Sequence, residues 1–127
     1  LMTDSIAYIM GDISRMMRKR FDLAARSTGV TGPQSRVIFL LNRAPGLNQG
    51  QIADRLDVEP ITTCRMIDRL EQAGLVERRR DPSDRRAWQI FNTRAATPLI
   101  DRLRSIADEI LDHALSGLSA AEVDMLG

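Results

Sequence analysis

The chain has 127 residues, 43% of them hydrophobic and 28% charged, with one cysteine, one histidine and a formal net charge of +1, which predicts one domain or one compact subunit able to build a core. A lone Cys64 excludes an internal disulfide and a cysteine-cluster metal site; few aromatics argue against single-strand binding by base stacking; and with no long apolar run and no basic-apolar leader, a cytoplasmic protein with no membrane partner is expected. The near-neutral total hides a polarity, since residues 60–94 hold eight Arg against five acids while residues 95–127 hold two Arg against six, a pattern that suits a protein meeting nucleic acid with its middle only.

In chain order, Thr3 or Asp4 is a candidate cap for a first helix of roughly 24 residues, because Ile6, Ile9, Met10, Ile13, Met16, Met17, Phe21 and Ala24 keep helical spacing. The Met-rich stripe is expected to be core; the sharper reading is a soft pocket wall or partner surface, since Met adapts its shape. Residues 27–32 form a connector. Thr31 caps the next helix, with Pro33 in its first turn, and Val37, Ile38, Leu40 and Leu41 bury it. Leu47 is placed as a short third strand.

From Asn48 the pattern becomes helix, turn, helix. Asn48 and Gln51 form a reciprocal cap, and Ile52, Ala53 and Leu56 give a narrow apolar stripe. Pro60 suits the first position of a second helix. Thr63, Ile67 and Leu70 make its inner face, and Gly74 its left-handed stop. Opposite lie Ile61, Thr62, Arg65, Asp68 and Arg69. Such a face fits a DNA major groove, although a helical pair with a solvated polar face reads the same way. Residues 75–80 then form a strand, Asp81-Pro82-Ser83-Asp84 a turn, and residues 85–91 a return strand with Trp88 and Ile90 on one side, Gln89 and Phe91 on the other. Trp88 is expected to pack. Five arginines (Arg78, Arg79, Arg80, Arg85 and Arg86) crowd this hairpin, which suits a wing lying along phosphates.

Asp68–Glu71 (DRLE), Ala73–Arg78 (AGLVER) and Asp81–Arg86 (DPSDRR) resemble the MarR (multiple-antibiotic-resistance regulator) family of winged-helix repressors. The resemblance covers nearly the whole chain and is strongest from Gln49 to Phe91. It implies a mainly α fold with a small β wing: a winged helix-turn-helix (33–92) between dimerisation helices in 1–32 and 93–127. It implies a homodimer on double-stranded DNA with a pseudo-palindromic operator, the second helix (60–73) in the major groove and the wing (75–91) in the minor groove. The DNA-binding residues are then Ile61, Thr62, Arg65, Arg69, Arg78, Arg80, Asp84, Arg85 and Arg86. Among them Arg86 enters the minor groove, Asp84 braces it by an ion pair, and Arg85 meets a phosphate. It further implies repression relieved by a small aromatic or phenolic effector between the dimer helices and the winged domain, with Met16, Met17 and Phe39 as lining. No cofactor or metal is implied.

The family's Leu-Thr-x-x-Gly before the final long helix is absent; Asn92-Thr93-Arg94-Ala95-Ala96 stands there. The helix starts at Thr97-Pro98, or earlier at Thr93 with Pro98 kinking it. Apolar residues from Leu99 to Leu118 cover more than one side, which calls for two packing partners. Ser119 and Glu122 predict a capping box for a last helix from Ala120, inside which the chain stops. His113 reads as a surface or interface residue. Without a Ser/His/Asp set, a phosphate-cradling glycine loop or metal-ligand spacing, no enzyme is expected. Asp81 and Asp84 are read as ionised by the arginines around them. Cys64 is a packing or edge residue, or alternatively a redox switch, although the peroxide-sensing branch of the family places its cysteine in the first helix. A second alternative is a winged-helix protein-interaction module that never touches DNA.

Overall fold

The computed structural model describes residues 2–116 and Ala120, without the side chains of Met2 and Thr3. The elements are α1 (Met2–Ala25), α2 (Gly32–Arg43), β1 (Leu47–Asn48), α3 (Gln49–Leu56), α4 (Pro60–Gln72), β2 (Val76–Arg80), β3 (Trp88–Asn92) and α5 (Thr97–Leu115), with 3-10 turns at Arg26–Thr28 and Arg94–Ala96. The result is a mainly helical chain with a three-stranded antiparallel sheet in the order β1-β3-β2. The expected Ser119–Glu122 box and Leu118 lie outside the described residues, as does a Thr3 side-chain cap. Asp4 falls inside the first turn of α1 and is not its cap.

Local chemistry sets the helix ends. Thr31 and Gln34 make a reciprocal capping box on α2, as do Asn48 and Gln51 on α3. Each cap side chain satisfies an otherwise orphaned N–H and stabilises its helix by about 1 kcal/mol. Asp57 ends α3 in the left-handed region at φ 54°, which Asp tolerates better than most residues. With Pro60 opening α4 three residues later, this produces the tight turn between the two helices. Gly74, at φ 76°, follows α4 and turns the chain into the wing.

One core joins all the layers. Val37, Ile38 and Leu41 of α2, Ile52 of α3, Ile67 and Leu70 of α4, Val76 and Ile90 of the sheet, and Leu103 of α5 are almost wholly buried. Each large side chain contributes about 1.5–3 kcal/mol. Met66 joins them, a core residue the narrower Thr63/Ile67/Leu70 stripe had not included. Asn92 Nδ2 donates to the Ile38 carbonyl at 2.9 Å, tying β3 to α2. Asp22 of α1 accepts from Arg36 of α2 at 3.0 Å. Gly32 permits that approach, because a Cβ there would sit 2.0 Å from the Asp22 carboxylate.

One expectation about the long helices changes. The Met-rich stripe of α1 is not core: Ile9, Met10 and Met16 are 56%, 64% and 58% exposed, and only Phe21 and Ala25 of this helix join the core cluster. A helix of 24 residues runs about 36 Å, and most of its apolar stripe stays exposed. The final long helix, α5, starts at Thr97-Pro98, the first of the two alternatives, although Ala96 and not Thr97 holds the cap position. Thr93 precedes a 3-10 turn, but its hydroxyl donates to the Gly74 carbonyl at 2.6 Å instead of capping, and Pro98 sits within the first turn of α5. Leu111 on α5 is 45% exposed, so this helix too keeps apolar surface outside the core.

Candidate nucleic-acid interface

Burial of Thr63, Met66, Ile67 and Leu70 fixes the rotation of α4. Ile61, Thr62, Arg65, Asp68 and Arg69 are consequently exposed, Ile61 at 65%. The Arg65 and Arg69 guanidiniums have no ion-pair partner among the described residues. Cys64 is half-buried at the flank, its thiol 3.9 Å from Asp68 Oδ2.

The wing is governed by its register. Arg78 pairs with Ile90, Arg79 with Gln89 and Arg80 with Trp88. Successive residues of a strand point to opposite faces, so Arg78 shares the face of buried Val76 and Ile90. Its guanidinium therefore turns onto α4, donating to Asp68 Oδ1 and to Glu71 Oε1 at 2.6 Å each, with 19% of the side chain exposed. Burial works against its charge, but the hydrogen bond to Asp68 and the charge of Glu71 outweigh it and raise its pKa further. Arg78 thus ties α4 to the wing through Asp68 and Glu71, where its place in an arginine run had suggested a DNA contact. Alternation from Val76 was the signal that could have revealed it.

Arg79 pairs with Glu77 and stacks over the Phe91 ring, 4.2 Å from its centroid. Arg80 stacks over Trp88 at 4.5 Å and donates to the Arg85 carbonyl at 2.8 Å. Trp88 packs as expected, but at the surface, 41% exposed. Beyond these residues the tip is a frame of side-chain-to-backbone bonds. Asp81 Oδ1 accepts from the Ser83 N–H at 2.8 Å and its hydroxyl at 2.7 Å. These two bonds, the hydroxyl first, hold the Asp81 carboxyl below its ordinary pKa; Ser83 keeps it ionised, not the arginines to which the sequence reading assigned that effect. Asp84 Oδ1 accepts from the Arg86 backbone N–H at 2.9 Å. Asp84 is a brace, but it grips the main chain rather than the guanidinium. The Arg85 and Arg86 guanidiniums have no partner among the described residues and project from this frame.

The expected effector lining is divided. Met17 and Phe39 line one groove of about 280 Å³ between α1, α2 and α5, together with Phe21, Ala107 and Ile110. Phe21 and Phe39 meet at 6.0 Å between ring centroids. Met16 is not part of it. Arg18 and Arg36 stand at the same groove; no sequence spacing marked them, because they come from two helices.

A model described as MarR family matches residues 28–87. The structure is similar to wild-type MarR (apo form) from E. coli, with a TM-score of 0.86 and 20% identity, covering 94% of this chain and 89% of that one. It is similar to the S. aureus MepR-DNA complex, with a TM-score of 0.76 and 27% identity over 94% and 89% of the two chains. CouR from Rhodococcus jostii RHA1 bound to p-coumaroyl-CoA gives a TM-score of 0.80 and 27% identity over 99% and 89%.

Proposed function

We propose that the chain, whose residues 28–87 match a MarR-family model and whose fold is similar to MarR-family structures, is a homodimeric, sequence-specific repressor of a pseudo-palindromic double-stranded operator and not an enzyme. One observation carries the reading. Arg65 and Arg69 on the exposed face of α4, and Arg85 and Arg86 at the wing tip, have no ion-pair partner among the described residues, while Arg78 is held by carboxylates of α4 and Arg79 and Arg80 are engaged inside the wing. Unpaired guanidiniums on a helix and on a hairpin tip suit a major groove and an adjacent minor groove or phosphate row. S. aureus MepR, of the same fold, is described in complex with DNA.

The exposed Ile6, Ile9, Met10 and Ile13 of α1 and Leu111 of α5 supply the dimer contact, since a contiguous apolar stripe of this kind marks an association surface. Repression is relieved by a small aromatic or phenolic compound in the groove of Met17, Phe21 and Phe39; CouR, similar in fold, is described with p-coumaroyl-CoA. Such a protein works beside its DNA in the cytoplasm. Titration of a random-sequence duplex at graded salt, followed by selection of bound duplex from a random pool, tests the reading. Salt-dependent retention and a selected inverted repeat are expected. A chain that retains no duplex even at low salt is a protein-interaction module instead.

A further inference from the structure

Trp88 is the only tryptophan of the chain, and it is not part of the core. It stands 41% exposed at the tip end of β3, directly across from Arg80 in the last register pair of the hairpin. Side chains paired in this way share one face of the sheet and lie within reach of each other. The Arg80 guanidinium lies over the indole, 4.5 Å from the ring centroid, and indole is the best of the aromatic rings at holding a cation. From there Arg80 Nη1 donates to the Arg85 carbonyl at 2.8 Å, while the next polar group along the chain, the Arg86 N–H, donates to Asp84 Oδ1 at 2.9 Å. That carbonyl and that N–H belong to one peptide unit, which is planar and rigid. The unit is held at both of its polar groups, and the Cα atoms at its two ends carry the Arg85 and Arg86 side chains. Arg78 and Arg79 are held by carboxylates; Arg80 has no such partner among the described residues. An acid in that place would cancel its charge, whereas an aromatic face holds the cation and leaves the positive field of the tip intact.

We propose that Trp88 is a positioning residue for the wing tip: its ring orients Arg80, Arg80 fixes the Arg85–Arg86 peptide, and that peptide aims the two guanidiniums before DNA arrives. The order of the tip stands on the geometry of the free chain alone; its effect on duplex binding rests on the function proposed above. Preset side chains lose less freedom on contact, which is where the benefit to binding arises.

The test reads the free chain first. Nitrogen relaxation at the Arg86 amide should give an order parameter of about 0.85 in the parent and close to it in Trp88→Phe, which keeps an aromatic face, and should fall toward about 0.6 in Trp88→Leu. Arg80→Met, which leaves the ring in place and removes the cation, should lower it as far, while the amides of Arg78 and Ile90 stay rigid in all three variants. An Arg86 amide as rigid in Trp88→Leu or Arg80→Met as in the parent overturns the proposal. So does loosening of Arg78 and Ile90 along with Arg86, which would make Trp88 merely a strand-packing residue, and so does a Trp88→Phe chain as loose as Trp88→Leu. Duplex binding is the second arm, read by anisotropy. Trp88→Leu should weaken affinity by roughly two- to fivefold, the scale of an exposed cation–π contact. The salt slope should not move, because no phosphate contact is lost, and Trp88→Leu should add nothing in an Arg80→Met background. An equal loss in that background makes Trp88 a DNA contact in its own right and overturns positioning through Arg80. Tip order lost with duplex affinity unmoved overturns the aiming of the guanidiniums. Tip order lost in a chain that binds no duplex overturns the proposed function and leaves the positioning role of Trp88 standing.

Discussion

The base and the tip of the wing carry the same side chain and use it in opposite ways. At the base, Arg78 is forked between Asp68 and Glu71, and Arg79 and Arg80 lie over Phe91 and Trp88. At the tip, Arg85 and Arg86 have their backbones fixed by Arg80 and Asp84, and their guanidiniums have no partner among the described residues. The difference is one of register. A residue on the inner face of β2 finds carboxylates from α4 within reach; a residue beyond the last strand pair finds only solvent. On the proposed function, counting arginines overstates what the wing offers DNA, and the ones that count are those with no partner among the described residues.

The sharpest way to break this contrast is to remove the tip charges. Arg86→Ala should cost about 1–3 kcal/mol of binding, and Arg85→Ala with Arg86→Ala should flatten the salt dependence by about two units of slope. Because neither guanidinium has a partner among the described residues, the melting temperature should not move. Anisotropy titrations at several salt concentrations read the slope, and an unchanged slope means the tip does not touch DNA.

Arg78→Ala should do the reverse. Loss of two charge-assisted bonds to half-exposed carboxylates should lower stability by about 1–2 kcal/mol, with the salt slope intact. Lys in its place should not restore the loss, since one ammonium cannot fork between Asp68 and Glu71 as a planar guanidinium does. Urea melts of Arg78→Ala and Arg78→Lys decide; a parent-like midpoint in both would show that the clamp is idle.

Asp84→Ala separates order from charge. Deleting a negative group beside DNA should tighten binding by simple electrostatics. Losing the bond to the Arg86 N–H, worth about 0.5–1.5 kcal/mol, should instead loosen the tip and weaken binding, because free guanidiniums must then be ordered at the moment of contact. Weaker binding is expected. Tighter binding with an unchanged circular dichroism spectrum would reduce the wing to a plain positive patch.

The smallest effect concerns Asp81. Its folded pKa is depressed by Ser83, so whatever order it lends the tip is fully present above the ordinary carboxylate pKa and disappears as pH falls through the lowered value. Ser83→Ala should move that loss upward, toward a pH of about 4. Carboxyl NMR titration of the two proteins reads the shift directly, and coincident curves would show that Ser83 plays no part.

The elements proved legible where a local rule governs them. Asn48 with Gln51, Thr31 with Gln34, Pro60 and Gly74 announced the helix ends because caps and stops depend on residues a few positions apart. The wing and the short Leu47 strand followed from turn chemistry and alternation. What escaped was set by pairs distant in sequence. Arg78 lies ten residues from Asp68, and a run of three arginines gives no hint that the first has turned inward. Asp84 was assigned the right partner residue but the wrong group, since nothing in an Asp-Arg-Arg string distinguishes an amide N–H from a guanidinium. The α1 stripe was expected in the core because periodicity reports that a face is apolar and says nothing of what covers it.

The sheet order has a consequence for how the chain is made. β3 is the central strand, yet it follows β1 by some forty residues: Leu47 pairs with Ile90, and the Ile38 carbonyl waits for Asn92. During synthesis from the N-terminus, α2, α3 and α4 emerge with the edge of β1 unpaired, and the loop that must close is long before any non-local pairing rewards it. The wing hairpin, whose two strands are neighbours in sequence, is thus the closing piece of the domain as well as its reach toward a ligand. Ribosome-bound chains ending before β3 should remain open to protease throughout α2–α4, and those extended through α5 should not; early protection would mean that the helices settle without their sheet.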